Sequence, residues 1–135
     1  MIVYIATGFE SWQLARDLAG RLENKGHAIA IAWWTYHPDN GAADAVNWSE
    51  IGMKEARAVA RCDAMIAMLP GGRGTHVEIG MAVALGKPVY LLDSWSDRAV
   101  PFYHLPGVYY QQTTLECMVN DAAGLLPAMR SVVAE

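Results

Sequence analysis

The chain has 135 residues, a length that fits one domain able to bury about two thirds of the surface that its unfolded chain exposes. Apolar residues make up 53% and charged residues 18%, and the formal net charge is −4, which indicates a globular protein and argues against a polymeric nucleic acid partner. The N-terminal MIVYIATGFE lacks the basic region of a signal peptide and is too short to span a bilayer, so we expect a cytoplasmic protein with no membrane partner.

The first half of the chain alternates apolar runs with helical spacing. IVYIA (2–6) predicts a strand, and Leu14, Leu18 and Leu22 then recur at helical spacing before Lys25-Gly26. HAIAIAWW (27–34) predicts a second strand. The Pro, Asp, Asn and Gly that follow mark a loop over residues 35–47, which is long enough to be functional.

The second half repeats this alternation. Ser49 is placed to cap a helix that runs to about Arg61, and AMIAML (64–69) is an uninterrupted apolar strand of the kind that is covered on both faces. The remaining predicted elements are a helix that stops at Gly86, strands over 88–93 and 108–110, and a last helix that begins near Thr113 or Thr114 and reaches about Val133.

These elements predict one doubly wound α/β domain over residues 1–135, of the Rossmann or flavodoxin-like type. We expect a mainly parallel five-stranded sheet in the order 2-1-3-4-5, with helices on both faces. Ligands of such sheets bind beyond the carboxyl ends of the strands, here at the switch point between strands 1 and 3. Residues 7–12 and 70–78 flank that point.

The segment LPGGRGTHVEIGMAVALGKPVYLL (69–92) joins a glycine-rich loop to a helix that carries Glu78. Thr75 and Glu78 match the T-x-x-E capping box, so one interpretation of Glu78 is a helix cap. A cap needs only Thr75, whereas three glycines free the backbone to bring N–H groups close to a ligand. The positive helix end suits a phosphate or a carboxylate, and Arg73 adds a cation. The loop fits neither the P-loop nor the dinucleotide fingerprint.

CDAMIAMLPGGRGTHVEIGMAVALGKPVYLL (62–92), together with IVYIATGF at the start, resembles the nucleoside 2-deoxyribosyltransferase family. The shared pattern is an aspartate before the third strand, a G-T-x-x-E-x-G helix start and a G-K-P turn. The resemblance implies an enzyme that cleaves or transfers the N-glycosidic bond of a 2′-deoxynucleoside or its 5′-monophosphate, without a metal or an organic cofactor. It also implies homo-oligomers, since family members often donate the connection around His104 to a neighbouring subunit's site.

The resemblance assigns roles to individual residues. Glu78 would be the nucleophile that attacks the anomeric carbon, Tyr4 would orient it, and Asp63 would help hold the sugar. In the transferases an acidic residue six places before the nucleophile contacts the base, and here that position is Gly72. Related deoxynucleoside-monophosphate N-hydrolases also lack that acid and use this loop for the 5′-phosphate. The predicted substrate-binding residues are Thr7, Gly8, Phe9, Trp34, Gly71, Gly72, Arg73, Gly74 and Thr75.

The chemistry of these assignments is that of retaining glycosidases, in which a carboxylate below an anomeric carbon stabilises positive charge or forms a glycosyl ester. The sequence shows no obvious acid to protonate the leaving base. Aromatic residues flank the 35–47 loop, and their rings suit either stacking on a base as part of a lid or packing at the edge of the sheet. They are Trp33, for which its place in the strand run favours packing, and Trp34, His37 and Trp48.

Three alternatives stay open from the sequence. L-P-G-G-x-G-T-x-x-E is also the signature of Lonely-Guy-type phosphoribohydrolases, which release a base from a nucleoside 5′-monophosphate, although their arginine-rich upstream segment is not found here. A nucleotide-binding sensor could keep the pocket without turnover. In an interaction domain, Glu78 would serve only as a cap. No zinc site or disulfide framework is indicated, because Cys62 and Cys117 lack CxxC spacing.

Overall fold

The computed structural model describes residues 1–37, 47–95 and 99–125. Five parallel strands form one sheet in the order β2-β1-β3-β4-β5, which confirms the predicted fold class and strand order. Within the described ranges, no helix is both long and apolar enough to cross a bilayer. The strands are β1 (Ile2–Ala6), β2 (Ala28–Ile29), β3 (Ala64–Leu69), β4 (Val89–Asp93) and β5 (Val108–Gln112).

Helices cover both faces of the sheet. They are α1 (Trp12–Asn24), α2 (Trp48–Arg61), α3 (Arg73–Ala84) and α4 (Met118–Ala123). Side chains of α1 and α4 share one apolar cluster with Val3 and Ile66 of the sheet, and those of α2 and α3 share the other with Tyr4 and Met65. β3 is buried along its whole length, as expected for a strand that is covered on both faces.

The second predicted strand is mostly wrong. Only Ala28 and Ile29 pair with β1, and residues 33–36 form a 3-10 turn instead. The turn lets Trp33 and Trp34 both be buried, and the indole Nε1 of Trp33 donates to the Ile5 carbonyl at 2.7 Å. A continued strand would point successive side chains to opposite faces, so the turn gives both indoles a buried place.

Two helix boundaries also differ from the prediction. α2 begins at Trp48, and its cap is Asn47, whose side chain accepts from the Glu50 N–H at 3.0 Å, so Ser49 is not the cap. The last helix begins at Met118 and not near Thr113 or Thr114, it extends to Ala123 among the described residues, and the predicted stretch beyond residue 125 lies outside them. Most of the 35–47 loop, residues 38–46, lies outside them as well.

Candidate active site

A cavity of about 310 Å³ opens at the crevice between β1 and β3, where both strands end. The segment after β1 lies on one side, α2 on another, and the glycine loop with α3 on a third. We define the glycine loop as residues 70–74 and this space as the crevice cavity. Its lining residues are Thr7, Gly8, Phe9, Trp33, Trp48, Glu55, Gly72, Arg73, Gly74, Thr75 and Glu78. The structure therefore gathers most of the residues that the sequence proposed.

Two of the three glycines in the glycine loop have different roles. Gly71 has a φ of +65°, and a β-carbon there would lie 2.7 Å from the Thr75 side chain, so the loop conformation strongly favours glycine at this position. A β-carbon on Gly72 would have no atom within 4 Å, since this residue borders open space. Gly8 packs against the loop, and a β-carbon there would lie 3.5 Å from the Gly71 carbonyl carbon. Close backbone approach thus shapes the floor of the crevice cavity.

The interpretation of Glu78 as a helix cap is wrong. α3 begins at Arg73 with Gly72 as its N-cap, so Glu78 lies in the second turn rather than at the third helical position. Thr75 occupies that third position, and its hydroxyl accepts from the Gly72 N–H at 3.0 Å. The cap is complete without a carboxylate, which leaves Glu78 available for another role.

Glu78 carries a buried carboxyl group that faces the crevice cavity. Its Oε2 has no hydrogen-bond partner among the described residues. Burial raises the pKa of Glu78 from 4.5 to about 7, the neighbouring Tyr4 hydroxyl lowers it, and the charge of Glu55 raises it further. A β-carbon on Gly74 would lie 3.9 Å from Oε1, an ordinary van der Waals contact, so this carboxyl group lies close to the first turn of α3. A buried, unpartnered carboxyl beside a cavity is an expected feature of a reactive group.

Tyr4 lies beside Glu78, in the middle of β1. Its hydroxyl is buried and has no partner at ordinary hydrogen-bond geometry among the described residues, yet it is close enough to lower the pKa of Glu78. Burial, followed by the charge of Glu78, raises the pKa of the Tyr4 hydroxyl well above its ordinary value. The phenol therefore stays protonated and is placed to donate toward the carboxyl group.

Glu55 is the acid that the sequence interpretation missed. It projects from α2 into the crevice cavity, and burial raises its pKa above the ordinary value. The sequence pattern could have identified it. Glu55 lies three residues before Ala58 and four before Val59, which are both fully buried, so the helical period places this charged residue on the apolar stripe of α2. A glutamate rarely lies on an apolar stripe, and its position here is explained by the crevice cavity that its side chain faces.

Aromatic rings form one wall of the crevice cavity. Phe9 lies at its mouth, 39% exposed, with its ring centroid 6.2 Å from that of Trp33, 6.4 Å from that of Trp48 and 4.7 Å from that of His37. Trp34 was the residue proposed for this wall, but it is buried and does not line the cavity. A planar apolar ligand fits such a wall, because ring faces can stack on it.

Asp63 lies at the amino ends of the strands, whereas the crevice cavity opens at their carboxyl ends. It immediately precedes β3, and its Oδ2 accepts from the Ile2 N–H at 2.7 Å while its own N–H donates to the Ile2 carbonyl at 2.8 Å. These bonds fasten the amino ends of β1 and β3 to each other. Asp63 does not line the crevice cavity, so its proposed contact with a sugar remains a prediction without a supporting contact.

The family of this chain is established by its similarity to known proteins. The family model described as nucleoside 2-deoxyribosyltransferase matches residues 3–129. The chain belongs to the nucleoside 2-deoxyribosyltransferase family. It is an enzyme of the N-glycosidase or deoxyribosyltransferase type, as the resemblance implied. The match favours this family over the Lonely-Guy-type enzymes. No curated protein sequence matches the chain.

Solved structures with the same fold include two that are named for related reactions. The CMP N-glycosidase BcmB of Clostridium botulinum is 24% identical, with a TM-score of 0.70 over 93% of this chain and 99% of its own. A 2-deoxyribosyltransferase of Bacillus psychrosaccharolyticus is 16% identical, with a TM-score of 0.61 over 91% and 90%. BlsM is 20% identical, with a TM-score of 0.65 over 97% and 90%. These likenesses confirm the Rossmann-like fold.

Proposed function

We propose that this family member hydrolyses the N-glycosidic bond of a 2′-deoxynucleoside 5′-monophosphate, with Glu78 as the nucleophile. The observation that carries the proposal is the Glu78 carboxyl group, which faces the crevice cavity and whose buried Oε2 has no hydrogen-bond partner among the described residues. A carboxylate in this setting gains its best partner when positive charge develops on an anomeric carbon. The family match supports the type of bond that is broken.

The proposed reaction has two steps with balanced proton transfers. In the first, a Glu78 oxygen forms a bond to C1′ while the bond from C1′ to the base nitrogen breaks, and its electron pair leaves with the base. Glu55, which lines the same cavity, donates a proton to the departing base; burial shifts its pKa upward, the direction that suits a general acid. In the second step Glu55 takes a proton from water, the water oxygen attacks C1′, and Glu78 leaves as a carboxylate.

The glycine loop would bind the 5′-phosphate. The first backbone N–H groups of α3 have no partner within the helix and lie at its positive end, and Arg73 lines the same cavity. Gly72 leaves this space open, where a side chain would otherwise intrude. The base would lie against Phe9 and Trp48, whose rings are partly exposed at the other wall.

A second candidate is a cytidine ribonucleotide, because one protein of similar fold is named as a CMP N-glycosidase. The chemistry favours a deoxy sugar: a 2′-hydroxyl withdraws electrons and opposes the positive charge that develops at C1′. Purified protein should therefore be incubated with dCMP, CMP, deoxycytidine and the other deoxynucleoside monophosphates. Chromatography of free base, with and without a second base, separates hydrolysis from exchange.

Two paired variants test the assigned roles. Glu78→Gln and Glu55→Gln should both abolish most base release, whereas Glu50→Gln, an exposed glutamate on the same helix as Glu55, should not. A 2-deoxy-2-fluoro nucleotide would slow breakdown of the glycosyl ester, so intact-protein mass spectrometry should show an adduct that maps to Glu78. Full activity of Glu78→Gln would refute the nucleophile. Binding of these nucleotides without any release of base would favour the nucleotide-binding sensor.

The homo-oligomeric state and the cytoplasmic location, both expected from the sequence, remain predictions.

A further inference from the structure

A histidine braces the glycine loop from outside the crevice cavity. The Nε2 of His76 lies 3.0 Å from the Pro70 carbonyl oxygen. A carbonyl can only accept, so Nε2 carries the hydrogen, and Nδ1 of the neutral ring is then an acceptor. The Tyr103 hydroxyl lies 3.2 Å from Nδ1 and is placed to donate to it. A chain of two hydrogen bonds thus runs from Tyr103 through His76 to the loop.

Tyr103 gives this chain a fixed anchor. It belongs to a 3-10 turn (residues 101–104) in the connection between β4 and β5, and its side chain is buried. Its backbone N–H donates to the Val100 carbonyl at 2.9 Å. The Tyr103 and His76 rings are nearly parallel, with an interplanar angle of 18° and centroids 6.4 Å apart. The ring of His76 is therefore oriented on one side by the tyrosine and on the other by the loop.

The bond to Pro70 fixes a peptide that determines the loop conformation. The Gly72 N–H belongs to the peptide on one side of Gly71, and the Thr75 hydroxyl holds it. The Pro70 carbonyl belongs to the peptide on the other side, and His76 holds it. Both peptide planes around Gly71 are thereby set, which is how its positive φ of +65° is defined. The backbone N–H groups that follow inherit their direction from this geometry.

His76 does this from a separate space. His76, Tyr103, Pro70 and Gly71 line a second cavity of about 310 Å³, which shares no lining residue with the crevice cavity. The loop is the wall between the two, because Gly71 borders one cavity and Gly72 the other. His76 therefore lies outside the crevice cavity, and its bond to the Pro70 carbonyl reaches that cavity through the loop.

We propose that His76 is a positioning residue that holds the glycine loop in the conformation that presents its N–H groups to the substrate's phosphate. The part about phosphate rests on the proposed function, whereas the part about loop conformation does not. Two conservative variants separate the two ring nitrogens. The amide of His76→Gln reaches the place of Nε2 and can still donate to Pro70. The amide of His76→Asn ends near the place of Nδ1 and cannot donate to the Pro70 carbonyl.

The test compares kcat and KM for dCMP and for deoxycytidine in the wild type and in both variants. His76→Asn should lower kcat/KM for dCMP by about tenfold, through KM, and leave deoxycytidine nearly unchanged. His76→Gln should stay close to the wild type. Thermal unfolding of all three proteins controls for loss of fold. Equal losses on the two substrates, equal losses in the two variants, or no loss in His76→Asn would overturn the proposal.

A second measurement reads the loop without any activity. In ¹H–¹⁵N spectra of the free proteins, the amide signals of Gly71 and Gly72 should move in His76→Asn and return toward their wild-type positions in His76→Gln. Unmoved signals in His76→Asn would overturn the positioning role even in an active enzyme. If the wild type cleaves no deoxynucleoside or deoxynucleoside monophosphate of the panel above, the proposed function fails, and these signals still decide whether His76 sets the loop conformation.

Discussion

Replacing Glu78 with glutamine should make the protein more stable above neutral pH while it removes activity. Burial raises the pKa of Glu78 from 4.5 to about 7, so the native state binds this proton more tightly than the unfolded chain does. Below pH 4.5 the group is protonated in both states and costs little. Above pH 7 it is ionised in both, and the native state bears the cost of a buried charge. The stability that this group contributes therefore falls as the pH rises from 4.5 to 7.

The size of the effect follows from that difference. A change from 4.5 to about 7 corresponds to roughly 3 kcal/mol of free energy of unfolding. Glutamine recovers only part of this, because its amide is also buried and needs partners. The Tyr4 hydroxyl is one such partner, since it lies beside the carboxyl group and is unpaired among the described residues. We expect a gain of about 1–3 kcal/mol at pH 8, against a typical total of about 5–15 kcal/mol.

Urea unfolding at pH 4.5 and pH 8 measures this gain. The difference between Glu78→Gln and the wild type should be near zero at pH 4.5 and should reach its full value at pH 8. Groups that do not interact with Glu78 cancel in this difference, and the loss of repulsion with Glu55 adds to the gain at pH 8. Glu23→Gln, an exposed glutamate of α1, is the matched control and should follow the wild type at both pH values. A difference that does not change with pH, or a variant that is less stable at pH 8, would show that Glu78 is stabilised by a partner and would refute the reasoning.

Further predictions concern catalysis and the loop. The kcat/KM should rise with pH as Glu78 ionises near pH 7 and fall again at higher pH as Glu55 loses the proton that it donates, and a profile that lacks both limbs would contradict these roles. Tyr4→Phe should move that rise to higher pH, since the Tyr4 hydroxyl lowers the pKa of Glu78; an unmoved profile would argue against the contact. Glu55→Gln should lower kcat by about 10²–10⁴-fold, and should lower it less for substrates whose base leaves without protonation. Gly71→Ala should destabilise the protein by at least about 2 kcal/mol in urea unfolding, because of its positive φ and the contact with Thr75, whereas Gly72→Ala meets no clash and should cost about 1 kcal/mol or less, since alanine is a poorer N-cap than glycine.

The central strands could be predicted from the sequence because their apolar runs are long enough to be covered on both faces. β1 and β3 match their predicted ranges, and the alternation with helices specified a parallel sheet and its order. The edge strand β2 could not be predicted in the same way. It pairs on one side only, and the burial of Trp33 in a turn competed successfully with continued pairing.

The candidate site also has one part that could be predicted from the sequence and one part that could not. A single continuous stretch, residues 69–78, contains the glycine loop and Glu78, so local pattern and family resemblance were enough to select them. Whether Glu78 is a cap depended on where α3 begins, and in the structure it begins at Arg73, with Gly72 as the N-cap directly after Gly71. The T-x-x-E pattern alone does not tell whether Thr75 is the N-cap or the third residue of the helix.

Long-range placement was decided only by the tertiary structure. Glu55 lies on a different helix, 23 positions before Glu78 in the sequence, and joins it because α2 and α3 pack side by side on one face of the sheet. Asp63 is nearer to Glu78 in sequence but farther from the cavity, since it begins the strand whose other end borders the site. Sequence therefore determined the elements and the reactive segment, through periodicity and local backbone chemistry. Packing determined which second carboxyl group faces Glu78, because that depends on contacts between helices that no local pattern encodes.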